Sequence, residues 1–242
     1  MLGVSAVQVE ASHSWGGYHW ARTSNPFTLK LGDNVSGAWD SVLLTGSNDW
    51  SLSSVLDTKV VSGLSNPRNC RPVYGRVEVC NYRYGNNGWL GVAQIWITGS
   101  THIAQGTTRL NDTYFNTAAY NTTAWRNLVM CQEVGHTFGL DHQDENFNNA
   151  NLGTCMDYTR DPSTNQHPNA HDYAELEAIY AHLDSINTAS QTIAPSSLGN
   201  EIGDDKADWG KTVRKDRKGR DSVFEKDLGK GNKVLTHVFW AD

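Results

Sequence analysis

Four side chains in one short stretch, Gln132, Glu133, His136 and His142, have the types and spacing that metal-assisted hydrolysis needs. On a helix, residues 132 and 136 lie one turn apart on the same face, with Glu133 beside them. Gly139 lets the chain turn sharply and bring His142 back to that face. Two imidazoles and one further donor then converge and leave a position for water, as catalytic zinc requires. Bound zinc lowers the pKa of its water to about 7, and a nearby carboxylate takes the proton. Glu133 is placed for that role.

Periodicity shows which elements must hold these residues. Thr122 or Thr123 starts a helix with the apolar stripe Trp125, Leu128, Val129, Val134 and Phe138, and Gly139 stops it. Upstream, Trp89 to Ile97 is the strongest strand, introduced by the turn Asn86-Asn87-Gly88. Further strands are expected in Tyr18 to Leu31, Asp57 to Val61, Gly75 to Tyr82 and His102 to Leu110. An earlier helix, capped by Asp33 or Asn34, carries Val35, Ala38, Trp39, Val42 and Leu43; a late one runs from about Asn169 to Leu183. Residues 143 to 167 read as loop. Past Asp184 the composition turns polar and linker-like, and Ser222 to Leu228 and Lys233 to Trp240 flank a Gly-rich turn as a hairpin that packs on the body.

The run His136-x-x-Gly139-x-x-His142 preceded by Glu133 resembles the long zinc signature of the metzincin peptidases, and its Gly-Leu-Asp-His ending resembles the matrixin branch. Thr154-Cys155-Met156-Asp157-Tyr158 resembles the clan's Met-turn. Leu90-Gly91-Val92-Ala93 is similar to its substrate-binding edge strand. The resemblance spans about Tyr18 to Asp184. It implies an α+β zincin-like fold with a twisted, mostly parallel five-stranded sheet, two long helices, and a small lower subdomain with the Met-turn and a third helix. It also implies zinc, and a protein or peptide substrate lying extended along residues 90 to 93. The domains expected are an N-terminal segment 1–15, a catalytic domain 16–184 divided after 142, and a linker with C-terminal hairpin at 185–242.

One departure matters. Gln132 stands where the clan has its first zinc-binding His, and Gln offers only a neutral amide oxygen. Three arrangements are open: Gln132 ligates through that oxygen, another donor takes the place, or the chain is a non-catalytic relative that binds peptide or protein. The Met-x-Tyr spacing is similar to astacins and serralysins, and by that analogy Tyr158 is a further ligand or an oxyanion donor.

The remaining composition narrows the class. With 242 residues, the chain suffices for one good core, or for one domain with a tail. A formal charge of −6 argues against nucleic acid, and the basic run from Lys211 to Arg220 reads as a solvated segment. No apolar stretch approaches the roughly 20 residues of a membrane span, and the start lacks the pattern of a secretory signal. A secreted monomer is expected, its signal removed. Four cysteines, Cys70, Cys80, Cys131 and Cys155, allow two disulfides. Cys70 and Cys80 would bracket a hairpin. A Cys131–Cys155 bridge would tie the site helix to the loop beyond it, worth about 3 kcal/mol. Asp144, Glu145, Asn146, Asn148 and Asn149 offer oxygens to calcium without EF-hand spacing, so a solvated loop is the preferred reading. Sequons start at Asn34, Asn111 and Asn121. His19, His102, His167, His171 and His182 show no partner pattern and are read as non-functional.

Overall fold

The computed structural model describes residues 13–190 and 202–241. In chain order its elements are β1 (His19–Trp20), β2 (Phe27–Asn34), α1 (Trp39–Trp50), β3 (Leu56–Ser62), β4 (Arg76–Tyr82), β5 (Trp89–Thr98), β6 (His102–Asn111), the short α2 (Asp112–Phe115), α3 (Thr123–His136), α4 (Ala170–Ile179), β7 (Lys211–Lys215), β8 (Asp221–Gly229) and β9 (Asn232–Trp240).

The fold is α+β, built on one mixed sheet in the order β3-β2-β4-β6-β5-β9-β8-β7, with β1 beside β6. The first part has the expected character: β2, β3, β4 and β6 run parallel, and β5 returns antiparallel to β6. The five-stranded expectation is too small, however, because β9, β8 and β7 continue the sheet antiparallel beyond β5. Sequence periodicity marked the hairpin but said nothing of its partner. A strand that pairs on both edges and packs on both faces is stabilised at every position. This suits β5, whose residues Trp89 to Ile97 are all buried.

Two apolar layers flank the sheet. Helices α1 and α3 cover one face with Trp39, Val42, Trp50, Leu128, Val129 and Val134. On the other face Trp89, Val92 and Trp96 of β5 meet Trp209, Phe224, Val234 and Val238 of the C-terminal segment. The C-terminal residues therefore share a core with the body.

Local sequence accounts for most boundaries. Thr122 caps α3 by accepting from the Trp125 N–H, and Asn169 and Asp172 form a reciprocal capping box on α4. Helix α4 ends at Ile179, short of the expected Leu183, which is exposed. Asp33 and Asn34 lie in β2 and cap no helix; α1 begins at Trp39. Gly139 has φ +97°, and a Cβ there would lie 2.0 Å from the Tyr18 carbonyl oxygen, so both conformation and space demand glycine. The pairs Cys70–Cys80 and Cys131–Cys155 are disulfide-bonded. The first closes a loop onto β4, which pairs in parallel with β2 and β6, and is no hairpin. Such bridges form in oxidising compartments. Among the described residues no helix is long and apolar enough to cross a membrane.

Candidate metal centre

Helix α3 carries Gln132, Glu133 and His136 into the interior, and the turn at Gly139 returns His142 to His136. The orientation of each ring is set by its outer nitrogen. His136 Nδ1 donates to the Leu140 carbonyl oxygen at 2.9 Å, and His142 Nδ1 faces Glu145 Oε1 at 3.3 Å. Both protons are thereby placed on Nδ1, which leaves each Nε2 as a bare lone pair. These two Nε2 atoms lie 3.1 Å apart. Two facing lone pairs repel, whereas tetrahedral zinc with Zn–N of about 2.0–2.1 Å separates neighbouring donors by about 3.3 Å. The geometry fits a shared cation.

The third imidazole comes from an unexpected place. His237 of β9 lies opposite Ala93 of β5, and its ring centroid is 4.0 Å from that of His136 and 4.7 Å from that of His142. Donor atoms of the three histidines fall within 4.8 Å of one another. The His237 ring is held on both sides, with Nδ1 3.3 Å from Glu133 Oε2 and Nε2 3.1 Å from the Tyr158 hydroxyl. Burial holds His136 and His237 well below the usual histidine range, so both rings are neutral near pH 7; His136 offers Nε2 directly, and His237 offers Nε2 to a metal when the Tyr158 hydroxyl yields it.

Gln132 sits on the same helix face but is turned to a different partner. Its Nε2 donates to the Cys155 carbonyl oxygen at 2.6 Å, and its buried Oε1 accepts no hydrogen bond. Burial pushes the Glu133 carboxyl well above the ordinary range, partly offset by the Ala93 backbone N–H. The space for this carboxylate depends on Gly91, where a Cβ would lie 2.6 Å from Val129 Cγ1 and 2.7 Å from Glu133 Cγ. Tyr158 stacks on Phe147 and packs on His142 with ring centroids 4.2 Å apart; burial pushes its phenol well up, so it is a neutral donor. Met156 is fully buried in the same core as the α3 stripe.

A second ring of contacts fixes the first. Trp15 stacks on His136 with centroids 4.8 Å apart. Asp141 accepts from the His142 N–H and from both terminal nitrogens of Arg214 on β7. Burial would raise the Asp141 carboxyl, but those Arg214 bonds hold it below its usual range. Arg214 also reaches Glu145, and Arg217 pairs with Asp144. The basic run is therefore docked on the acidic loop, and two of that loop's candidate calcium ligands are engaged by arginine. Of the sequons, Asn34 and Asn111 are buried and hydrogen-bonded, and only Asn121 is exposed.

The structure thus brings together Glu133, His136, His142, Tyr158 and the neighbouring Gln132, and adds His237, which sequence reasoning missed. It also alters the expected substrate edge. Leu90 to Ala93 lie on an interior strand, because β9 pairs antiparallel with β5 from Trp89 to Ile97. Glu133, His136 and His237 are fully buried in this conformation, and His142 is 7% exposed.

No protein-family model and no curated protein matches the chain. Among solved structures, it is similar to high choriolytic enzyme 1, a hatching-enzyme zinc-protease of the medaka Oryzias latipes. The two are 10% identical over 67% of this chain and 94% of that one, with a TM-score of 0.37.

Proposed function

We propose that this protein is a secreted, metzincin-like zinc endopeptidase whose metal is held by His136, His142 and His237, in a conformation closed by its own C-terminal hairpin. The carrying observation is the convergence of two Nε2 lone pairs at 3.1 Å on a third imidazole and a buried carboxylate. Three imidazoles suit zinc, and the arrangement gives calcium no cage of oxygens.

Bound zinc supplies a Lewis acid that polarises a scissile carbonyl and acidifies water. The chain's residues do the rest. Glu133 takes the proton of the attacking water and passes it to the leaving amine; burial raises its pKa, which makes it a stronger base than an exposed carboxylate. The neutral Tyr158 hydroxyl donates to the developing oxyanion. An extended peptide would add to β5, the edge that β9 now holds, so the hairpin leaves that edge before substrate enters. His136 and His142 stay behind on α3 and its turn, with the unpartnered Gln132 Oε1 as the neighbouring oxygen donor.

A second reading, a non-catalytic metal-holding module, is favoured by the complete burial of Glu133 and of His237 on the docked β9. Casein cleavage with and without a chelator, followed by zinc add-back, separates the two. The peptidase reading expects cleavage that chelation stops, zinc restores and Glu133→Ala abolishes. Zinc-loaded protein that cleaves nothing leaves only the metal-holding module.

A further inference from the structure

Three histidines that showed no pattern in sequence meet at one carboxylate. His19 in β1 and His102 at the start of β6 are register partners in a parallel pair, and His182 and Asp184 follow α4. Asp184 divides its oxygens. Its Oδ2 accepts from the Arg22 guanidinium at 3.0 Å and the Arg22 backbone N–H at 3.2 Å, which leaves Oδ1 facing the rings. His102 Nε2 lies 3.1 Å from Oδ1, His19 Nε2 3.5 Å and His182 Nε2 3.7 Å. His182 Nε2 is also 3.1 Å from His19 Nε2.

The tautomer of His19 decides how this cluster reads. His19 Nδ1 donates to the Gly17 carbonyl oxygen at 2.8 Å, so Nε2 is a bare lone pair. That lone pair faces a carboxylate oxygen and a second ring nitrogen. Protons on His102 and His182 would satisfy two of the contacts, but none lies between His19 Nε2 and Asp184 Oδ1. A cation removes that repulsion, and the three separations among His19 Nε2, His182 Nε2 and Asp184 Oδ1, 3.1, 3.5 and 3.7 Å, bracket the roughly 3.3 Å edge of a zinc tetrahedron.

We propose that His19, His182 and Asp184 form a second zinc site, separate from the centre at His136, with His102 donating to Asp184 Oδ1 from outside it. Two imidazoles and one carboxylate match zinc's preference and leave one of its four positions to solvent. The ion clasps the first strand to the exit of α4, joining segments more than 160 residues apart in sequence. Arg22 acts as the outer partner that aims Asp184.

Metal counting on the full chain tests this without reference to activity. Protein equilibrated with zinc and freed of excess is measured by elemental analysis, as wild type, as His102→Ala/His182→Ala, and as His136→Ala/His142→Ala. Two zincs per wild-type chain and one in each double variant are expected. His182 is more than half exposed, so its removal spares the fold, and circular dichroism checks each variant. Wild type with one zinc, lost in the His102/His182 variant and kept in the other, also upholds the site while removing the basis for the peptidase. Zinc content unchanged by His102→Ala/His182→Ala overturns the proposal and leaves a hydrogen-bonded cluster only.

Discussion

Replacing His237 with Ala probes the assignment that sequence alone did not supply. Structural zinc sites are worth about 10–16 kcal/mol over four ligands, so one imidazole accounts for about 2.5–4 kcal/mol, or about 100- to 1,000-fold in Kd. The best assay is the zinc-dependent rise in Tm, measured in a His182→Ala background to silence the clasp. Free zinc at a thousand times the wild-type Kd stabilises by about 4.1 kcal/mol, and the same zinc stabilises the variant by only about 0.4–1.4 kcal/mol. At about 2–4 °C per kcal/mol for a chain this size, the wild-type rise is about 8–16 °C and the variant's is below about 6 °C. Absolute Tm is the wrong readout. The Tyr158 hydroxyl and Glu133 Oε2 both contact His237, and leaving them unpaired costs about 1–3 kcal/mol each even without metal. An unchanged zinc-dependent rise in His237→Ala would refute the assignment and return the third place to Gln132.

Three other outcomes follow from the same geometry. Gln132→His leaves zinc affinity within about threefold, because His237 already fills the third place, and lowers stability by about 1–2 kcal/mol through loss of the Cys155 bond; a tenfold gain in affinity by competition with a chromophoric chelator contradicts this. Gly91→Ala forces the new Cβ onto Val129 and Glu133, costs about 1–3 kcal/mol in a chemical denaturation curve, and displaces the base; unaltered stability and turnover would show that β5 has room to spare. Arg214→Ala removes the paired bonds to Asp141, but the side chain is 34% exposed, so the loss is about 1 kcal/mol, a fall of about 2–4 °C in Tm. It also loosens the hairpin, so casein cleavage rises under the peptidase reading, and a fall in cleavage counts against closure by β7 to β9.

What could be read in advance was local. The Thr122 cap, the α3 stripe, the Gly139 turn and the apolar β5 run after Asn86-Asn87-Gly88 each express a rule that acts within a few residues, and each element stands within a few residues of its expected place. Glu133, His136 and His142 share one helix and one turn, so spacing alone brought them together. His237 lies 104 residues from Glu133 and reaches it only because β9 pairs with β5. Strand pairing across such a distance leaves no periodic trace, and the hairpin signature does not name its partner. His19, His102 and His182 were passed over for the same reason. The basic run offered a usable signal: its charge complements Asp141, Asp144 and Glu145, but complementarity emerges only when two segments are weighed together.

The forces that dock the C-terminal strands differ in size, and their order bears on whether metal opens or closes the site. Arg214 and Arg217 pair with the acidic loop while partly exposed, so each is worth at most about 1 kcal/mol and is screened by salt. Trp209, Phe224, Val234 and Val238 are each at most 1% exposed, and burying such side chains stabilises by about 1.5–3 kcal/mol apiece. Backbone pairing runs along β5 from Trp89 to Ile97. Apolar burial and the ladder therefore dominate, the arginines add little, and one zinc–imidazole bond adds a share comparable to one or two buried side chains. Stripping zinc accordingly leaves β9 docked. Admission of a peptide to β5 then depends on competition with the whole strand, and a short extended substrate, which brings no counterpart to Trp209 or Phe224, competes poorly.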